Sequence, residues 1–180
     1  RELTKQHAFY TEYLTTTGNW TTSARTITGI PSTVGLDTTY QAVGTGINQN
    51  TFIVSVDSAT QVTLSQDFAS AGGANATVYF QKMKYSLPSD YESLVPRTMW
   101  DKSKHWEMLG PESAQQWEWL LSGYISTGPR IRWRLLGKYF QIWPGVNAGE
   151  YLGFEYRSNA WAESASGVAK TSFKIGRAHV

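Results

Sequence analysis

Much of this chain alternates polar and apolar residues with a period of two, the repeat of a strand that buries one face. In residues 51–56, Phe52, Val54 and Val56 alternate with Ile53 and Ser55. In residues 60–65, Val62 and Leu64 alternate with Thr63. The short polar link Asp57-Ser58-Ala59 makes the two runs a predicted hairpin. Residues 20–30 read as another strand-like run, ended by Gly29 and Pro31, and residues 40–43 as one closed by Gly44-Thr45-Gly46. Residues 76–80 follow the loop at Gly72-Gly73. Short strands separated by turn signals predict a small antiparallel sandwich or barrel over residues 15–82.

The pattern changes after Lys82, where charged and aromatic residues return together. Ser89 followed by Glu92 has the spacing of a capping box, so a short turn is expected through Leu94, ended by Pro96. The strongest helix signal covers residues 112–122. Pro111 and Glu112 supply N-terminal features, Gly123 a stop, and Trp117, Leu120 and Leu121 share one face with Ala114 a turn back. Residues 130–135 alternate strictly, with Ile131, Trp133 and Leu135 on one face and Arg130, Arg132 and Arg134 on the other. Residues 139–143 and 150–157 read as two more strands, and the three together as a β-meander over residues 130–157. The expected fold class is mainly β: a small antiparallel sandwich or barrel-like insert, then a meander with one short helix, cut from a longer α+β parent.

The ends support that last expectation. The chain starts without Met, and Leu3, His7 and Tyr10 have helical spacing, so residues 1–14 read as the end of a helix and an entry strand. Residues 174–180 resemble a translated sequencing-library adapter and are set aside from fold reasoning, His179 with them. Residues 83–173 form the remaining unit. The insert at 15–82 is expected to be a separable module, because its composition differs from both flanks and its ends must meet to leave the host fold intact.

Composition narrows the function classes. The chain has 180 residues, with 8 Trp, 10 Tyr and no Cys, which excludes disulfides, thiolate metal sites and a Cys nucleophile. Rings at this density fill a core or meet a partner. A net charge of +2, from 16 basic and 14 acidic residues, is too balanced for a nucleic-acid coat. No apolar run is long enough to cross a bilayer as a helix.

Four segments carry a family resemblance: Y-S-L-P-S-D-Y-E-S-L-V-P-R-T-M-W-D (residues 85–101), G-P-E-S-A-Q-Q-W-E-W-L (110–120), the G-P-R-I-R-W-R-L and F-Q-I-W-P stretches within 128–144, and E-Y-R-S-N-A-W (155–161). In this order they resemble the head-to-tail adaptor proteins of tailed phages. G-I-P-S-T-V-G-L, G-T-G-I and S-V-D-S-A-T-Q-V-T-L-S, within residues 29–65, resemble small β modules spliced into phage structural proteins. The resemblance implies a non-enzymatic virion protein at the head–tail junction, made in the cytoplasm of a bacterial host. It implies ring assembly, portal and tail or hub proteins as partners, contact with DNA in the channel, and neither cofactor nor membrane.

No Walker loop, HExxH or nucleophile elbow is present. His7, His105 and His179 lack metal-site spacing, and His105 is expected to face solvent. Glu107, Glu112, Glu118 and Glu155 are the carboxylates from which a glycan-cleaving pair would have to come. Trp20 and Tyr40 are candidates for stacking on sugars in a glycan-binding reading of the insert. The candidate protein-interface residues are Trp119, Arg130, Arg132 and Arg134, with Trp119 turned away from the core-facing Trp117. Burial of Arg132 against a partner within the chain would remove the arginine stripe from that set.

Overall fold

The computed structural model describes residues 3–122 and 128–160, together with the backbone of residues 162–163 and 169–170. It is mainly β. In chain order the strands of the first half are β1 (Leu3–Tyr10), β2 (Tyr13–Trp20), β3 (Thr26–Ile27), β4 (Tyr40–Gly44), β5 (Thr51–Ser58), β6 (Gln61–Leu64) and β7 (Gly73–Lys82). The second half holds β8 (Lys84–Ser86), β9 (Tyr91–Leu94), β10 (Trp100–Asp101), β11 (Trp106–Glu107), the helix α1 (Ala114–Leu121), β12 (Arg132–Leu136), β13 (Tyr139–Trp143) and β14 (Tyr151–Ser158).

The insert is a closed barrel. Its six strands run β2-β7-β4-β5-β6-β3, and the predicted β5–β6 hairpin is present. The end strands meet at one bridge, where two backbone hydrogen bonds between Asn19 and Thr28, at 2.8 and 3.0 Å, close the barrel. Gly18 permits this closure, because a Cβ there would lie 2.4 Å from Ile27 Cγ2. Ile27, Ile30, Val62, Leu64, Val78 and Phe80 fill the interior. The run predicted over residues 20–30 is broken, since Trp20 ends β2 and a turn precedes β3. In β5 Thr51 and Ile53 are buried, whereas Val54 and Val56 are exposed.

The second unit is a two-sheet sandwich, which corrects the meander predicted over residues 130–157. β12 and β13 form a hairpin, but β8 takes the free edge of β13. The loop beginning at Pro144 then carries the chain across the core. β14 lies in the opposite sheet, ordered β1-β14-β10-β11, with β9 also paired to β14. Leu152, Phe154 and Tyr156 face inward. The helical expectation for the first residues also fails. β1 pairs with β14 over eight residue pairs, and its partly buried Leu3, Lys5, His7 and Phe9 follow a strand's period rather than a helix's. The turn expected through Leu94 is β9, because Tyr91, Ser93 and Leu94 are used as ladder partners of β14.

Helix α1 forms where expected, shortened at its start. Ser113 is the N-cap and forms a capping box with Gln116. Pro111 and Glu112 lie outside the helix, since the Glu112 N–H donates to Trp133 O at 2.9 Å and so ties this segment to β12. Gly123, the predicted stop, and Phe173 lie outside the described residues.

The ends of the barrel do meet, with Thr15 opposite Tyr79 and Tyr13 opposite Gln81. The barrel also docks on the sandwich. Met83, Trp117, Leu120 and Trp143 form a cluster against which Phe52 of β5 packs. Asn50, held at φ 58°, donates through Nδ2 to Leu121 O at 2.9 Å and accepts from Trp143 Nε1 at 3.4 Å. The last turn of α1 is thus capped by a side chain of the insert. Phe9 reaches Tyr85 across the sandwich core, rings stacked at 4.4 Å.

Asn50→Gly keeps the left-handed backbone but strands the helix carbonyl and the indole N–H. It is expected to lower stability by about 1–3 kcal/mol in urea unfolding, with an unchanged m-value. Replacing residues 15–82 by a short Gly-Ser link is expected to leave a sandwich that still melts cooperatively, at a lower temperature. Loss of the cooperative melt would make the barrel integral to the fold.

Candidate interaction surface

The predicted interface residues divide sharply. On α1, Trp117 is 3% exposed and Trp119 is 55% exposed, so two residues of helical phase place one indole in the core and the other outside. Of the three arginines in the predicted stripe only Arg130 is exposed. Arg132 Nη1 donates to Glu112 Oε1 in an ion pair whose carboxylate is almost fully buried. Arg134 donates to Gln141 Oε1 at 2.7 Å and lies with its guanidinium 4.5 Å from the Trp117 ring centroid. Burial pulls Arg134 below its ordinary value, against the opposing charge of Glu118. The arginine stripe is therefore not a free cationic surface. Two of its members brace β12 against residue 112 and α1, which removes Arg132 and Arg134 from the interface set.

Trp20 and Tyr40, the candidates for sugar stacking, are 4% and 5% exposed and belong to the barrel core. Tyr40 donates its hydroxyl to Glu12 at 3.0 Å; burial, followed by this bond, pushes its ionisation well above the ordinary value. His105 is exposed, as expected.

The four carboxylates do not converge as a set. Glu118 is exposed on α1, and Glu155 accepts from Gln6 Nε2 at 3.0 Å on the outer face of β14. Glu107 and Glu112 do share a cleft of about 450 Å³, lined also by Met99, Met108, Trp133 and Arg97. Glu112 there is committed to Arg132. Among the described residues no three His, Asp or Glu side chains gather as a metal-binding group. None of the described helices is long and apolar enough to cross a membrane.

Asp90, in the Y-S-L-P-S-D-Y segment, is the principal electrostatic joint. It accepts from Lys5 Nζ at 3.0 Å, Tyr156 Oη at 2.8 Å and Ser158 Oγ at 2.7 Å, linking the β9 entry to β1 and β14. Burial alone would raise the carboxyl. The bonds from Ser158, Tyr156 and Lys5, with the Lys5 charge, outweigh it and hold the group at about 2 against an ordinary 3.8. Burial and the bond to Asp90 push Tyr156 the other way, up to about 12. Sequence reasoning assigned Ser89 and Glu92 a capping role here and missed Asp90, because its three partners are more than sixty residues distant.

Compared with family models, curated proteins and solved structures, the chain finds no match.

A carboxyl depressed by folding contributes stability above its unfolded pKa and loses it as pH falls through the folded one. Melting temperature is accordingly expected to fall between about pH 4 and pH 2. Asp90→Asn should flatten that acid limb and lower the melting temperature at neutral pH. An unchanged acid limb would assign the loss to other carboxylates.

Proposed function

We propose that this chain is a non-enzymatic structural protein of a phage particle, a head-to-tail adaptor that joins portal to tail by ring assembly. The observation that carries the reading is Trp119. A large apolar side chain is left outside on a helix whose other face is locked into the molecule. Exposed indoles on rigid elements are typical anchors of protein interfaces. The reading is supported further by where the resemblance segments fall. Residues 85–101, 110–120 and 128–144 supply β8, β9, β10, α1, β12 and β13, while the fourth segment begins within β14. Segments dispersed in sequence thus build one sandwich and the helix attached to it.

Such a role needs rigid shape and repeated contacts rather than a reactive group. The virion, with portal and tail or hub proteins and other copies of this chain, is the proposed setting. Trp119 is the residue proposed to make contacts, with Arg130, the one stripe member left exposed, as the remaining charged candidate. The barrel, attached beside α1, is proposed to decorate the ring or touch a neighbouring tail component.

Sizing and sedimentation of the chain, alone and mixed with the portal protein of the same phage, test this. A multimer or a portal complex is expected. Trp119→Ala should weaken it by about tenfold or more while leaving the melting temperature nearly unchanged, because the side chain is outside the core. A chain that stays monomeric in both mixtures would overturn the adaptor reading.

A further inference from the structure

The outer face of the β1-β14-β10-β11 sheet carries a second surface feature, apart from α1 and the barrel. Its centre is bare. Ala8 of β1 faces Gly153 of β14, and Gly153 in turn faces Trp100 of β10. A Cβ on Gly153 would come within 2.8 Å of Lys102 Cε, so the missing side chain lets the lysine stem cross the strand. Aromatic rings flank this floor. Trp100 is 43% exposed on one side, and on the other the exposed Tyr10 packs on Tyr151 at 4.8 Å. Lys102 Nζ stands 5.3 Å from the centroid of the Tyr151 ring.

Beside Trp100 lies a depression of about 240 Å³, lined by Gln6, Arg97, Thr98, Trp100, Lys102 and Glu155. Its polar groups are held by the fold. Gln6 and Glu155 are opposed across the β1–β14 ladder and bonded at 3.0 Å. The loop carrying Arg97 is stitched to β14 at both backbone groups of Glu155: Val95 N–H donates to its carbonyl at 3.0 Å, and its N–H donates to Thr98 Oγ1 at 3.0 Å. Within that loop Arg97 takes φ 62°, a conformation unfavourable for a residue with a long side chain. Among the described residues neither Arg97 nor Lys102 makes an ion pair.

We infer that this depression is a binding site for an acidic glycan, with the C–H face of a pyranose stacked on Trp100 and its carboxylate held by Arg97 and Lys102. The amide of Gln6 and the carboxylate of Glu155 offer a fixed donor and acceptor to ring hydroxyls. An exposed indole beside planar polar groups suits a ligand with one apolar face and a polar rim. The mixed charge argues against a nucleic-acid strand. A phosphate backbone is tracked by a row of cations, whereas the lining of this depression combines two cations with the carboxylate of Glu155. The site is independent of the portal contact assigned to Trp119.

The test is titration of the intact chain, by calorimetry and Trp fluorescence, with trigalacturonate and 3′-sialyllactose. Methyl-esterified trigalacturonate, lactose and a thymidine oligonucleotide run in parallel. At least one acidic saccharide is expected to bind, about tenfold or more tighter than its neutral counterpart. Trp100→Ala should weaken binding by about tenfold. Arg97→Gly suits the left-handed backbone, so it should keep or raise the melting temperature and still weaken binding about tenfold. Absence of binding at millimolar saccharide, equal binding of the neutral counterparts, tighter binding of the oligonucleotide, or full affinity in both variants would each overturn the proposal.

Discussion

Three stacked rings hold the sandwich together: Trp133 of β12 lies on Phe140 of β13 at 5.3 Å, and Phe140 lies on Phe154 of β14 at 5.0 Å. Phe140 and Trp133 come from one sheet and Phe154 from the other, so the column spans the interior and sets how the sheets face each other. Phe9 extends it sideways, edge-on to Phe140 and stacked on Tyr85. Aromatic pairs of this kind add about 0.5–1.5 kcal/mol each beyond the area they bury. Their geometry requires β14 to lie across from β13 rather than beside it. That placement in turn opens β14 to β1 on one edge and to β9 and β10 on the other. The outer face of that sheet, with Trp100 and the Arg97 loop, exists only because β14 has crossed the core.

The barrel and the sandwich share one seam, and α1 lies in it. The helix is eight residues long, too short to persist alone in water. Ser113 and Gln116 close its start, Asn50 of the barrel closes its end, and Trp117 and Leu120 bury its inner face. A second connection joins Gln41 to Gln81 at 2.6 Å and Gln81 to Asn147 at 2.8 Å, carrying hydrogen bonds from the barrel to the loop after β13. The insert is therefore more than an attached ornament. It fixes the helix that displays Trp119, and so couples the barrel to the proposed portal contact.

Charge is largely used inside the molecule. Arg132 holds Glu112, Lys104 holds Glu150, Lys82 holds Glu12, and Lys5 holds Asp90. Each pair bridges elements distant in sequence. The surface left for partners owes more to rings than to charge, with Trp100, Trp106, Trp119 and Tyr10 all exposed on rigid or ladder-bound elements. Rings so held lose little freedom on binding, which favours durable contact with a protein or glycan surface.

Local pattern determined a good deal. Alternation put Ile131 and Trp133 on one face of their strand, opposite the arginines, and helical phase separated Trp117 from Trp119, because side-chain direction follows from backbone period alone. The barrel's β5–β6 hairpin was likewise legible, since its two strands are near in sequence. Which strands pair across long loops was not. β13 and β14 are consecutive and look like a meander. Only the tertiary packing of Phe140 on Phe154 puts them in different sheets. The first strand looked helical because Leu3, His7 and Tyr10 have helical spacing, whereas in the strand Tyr10 takes the opposite face from Leu3 and His7, and its partner lies some 140 residues away. The arginine stripe looked like a surface for the same reason. A strand's alternation tells which face a side chain takes, but Glu112 and Trp117 decide whether that face is covered, and they arrive from α1 and its entry. Arg97 gave no sequence signal, since its position depends on a loop fastened to Glu155 of a strand that follows it by almost sixty residues.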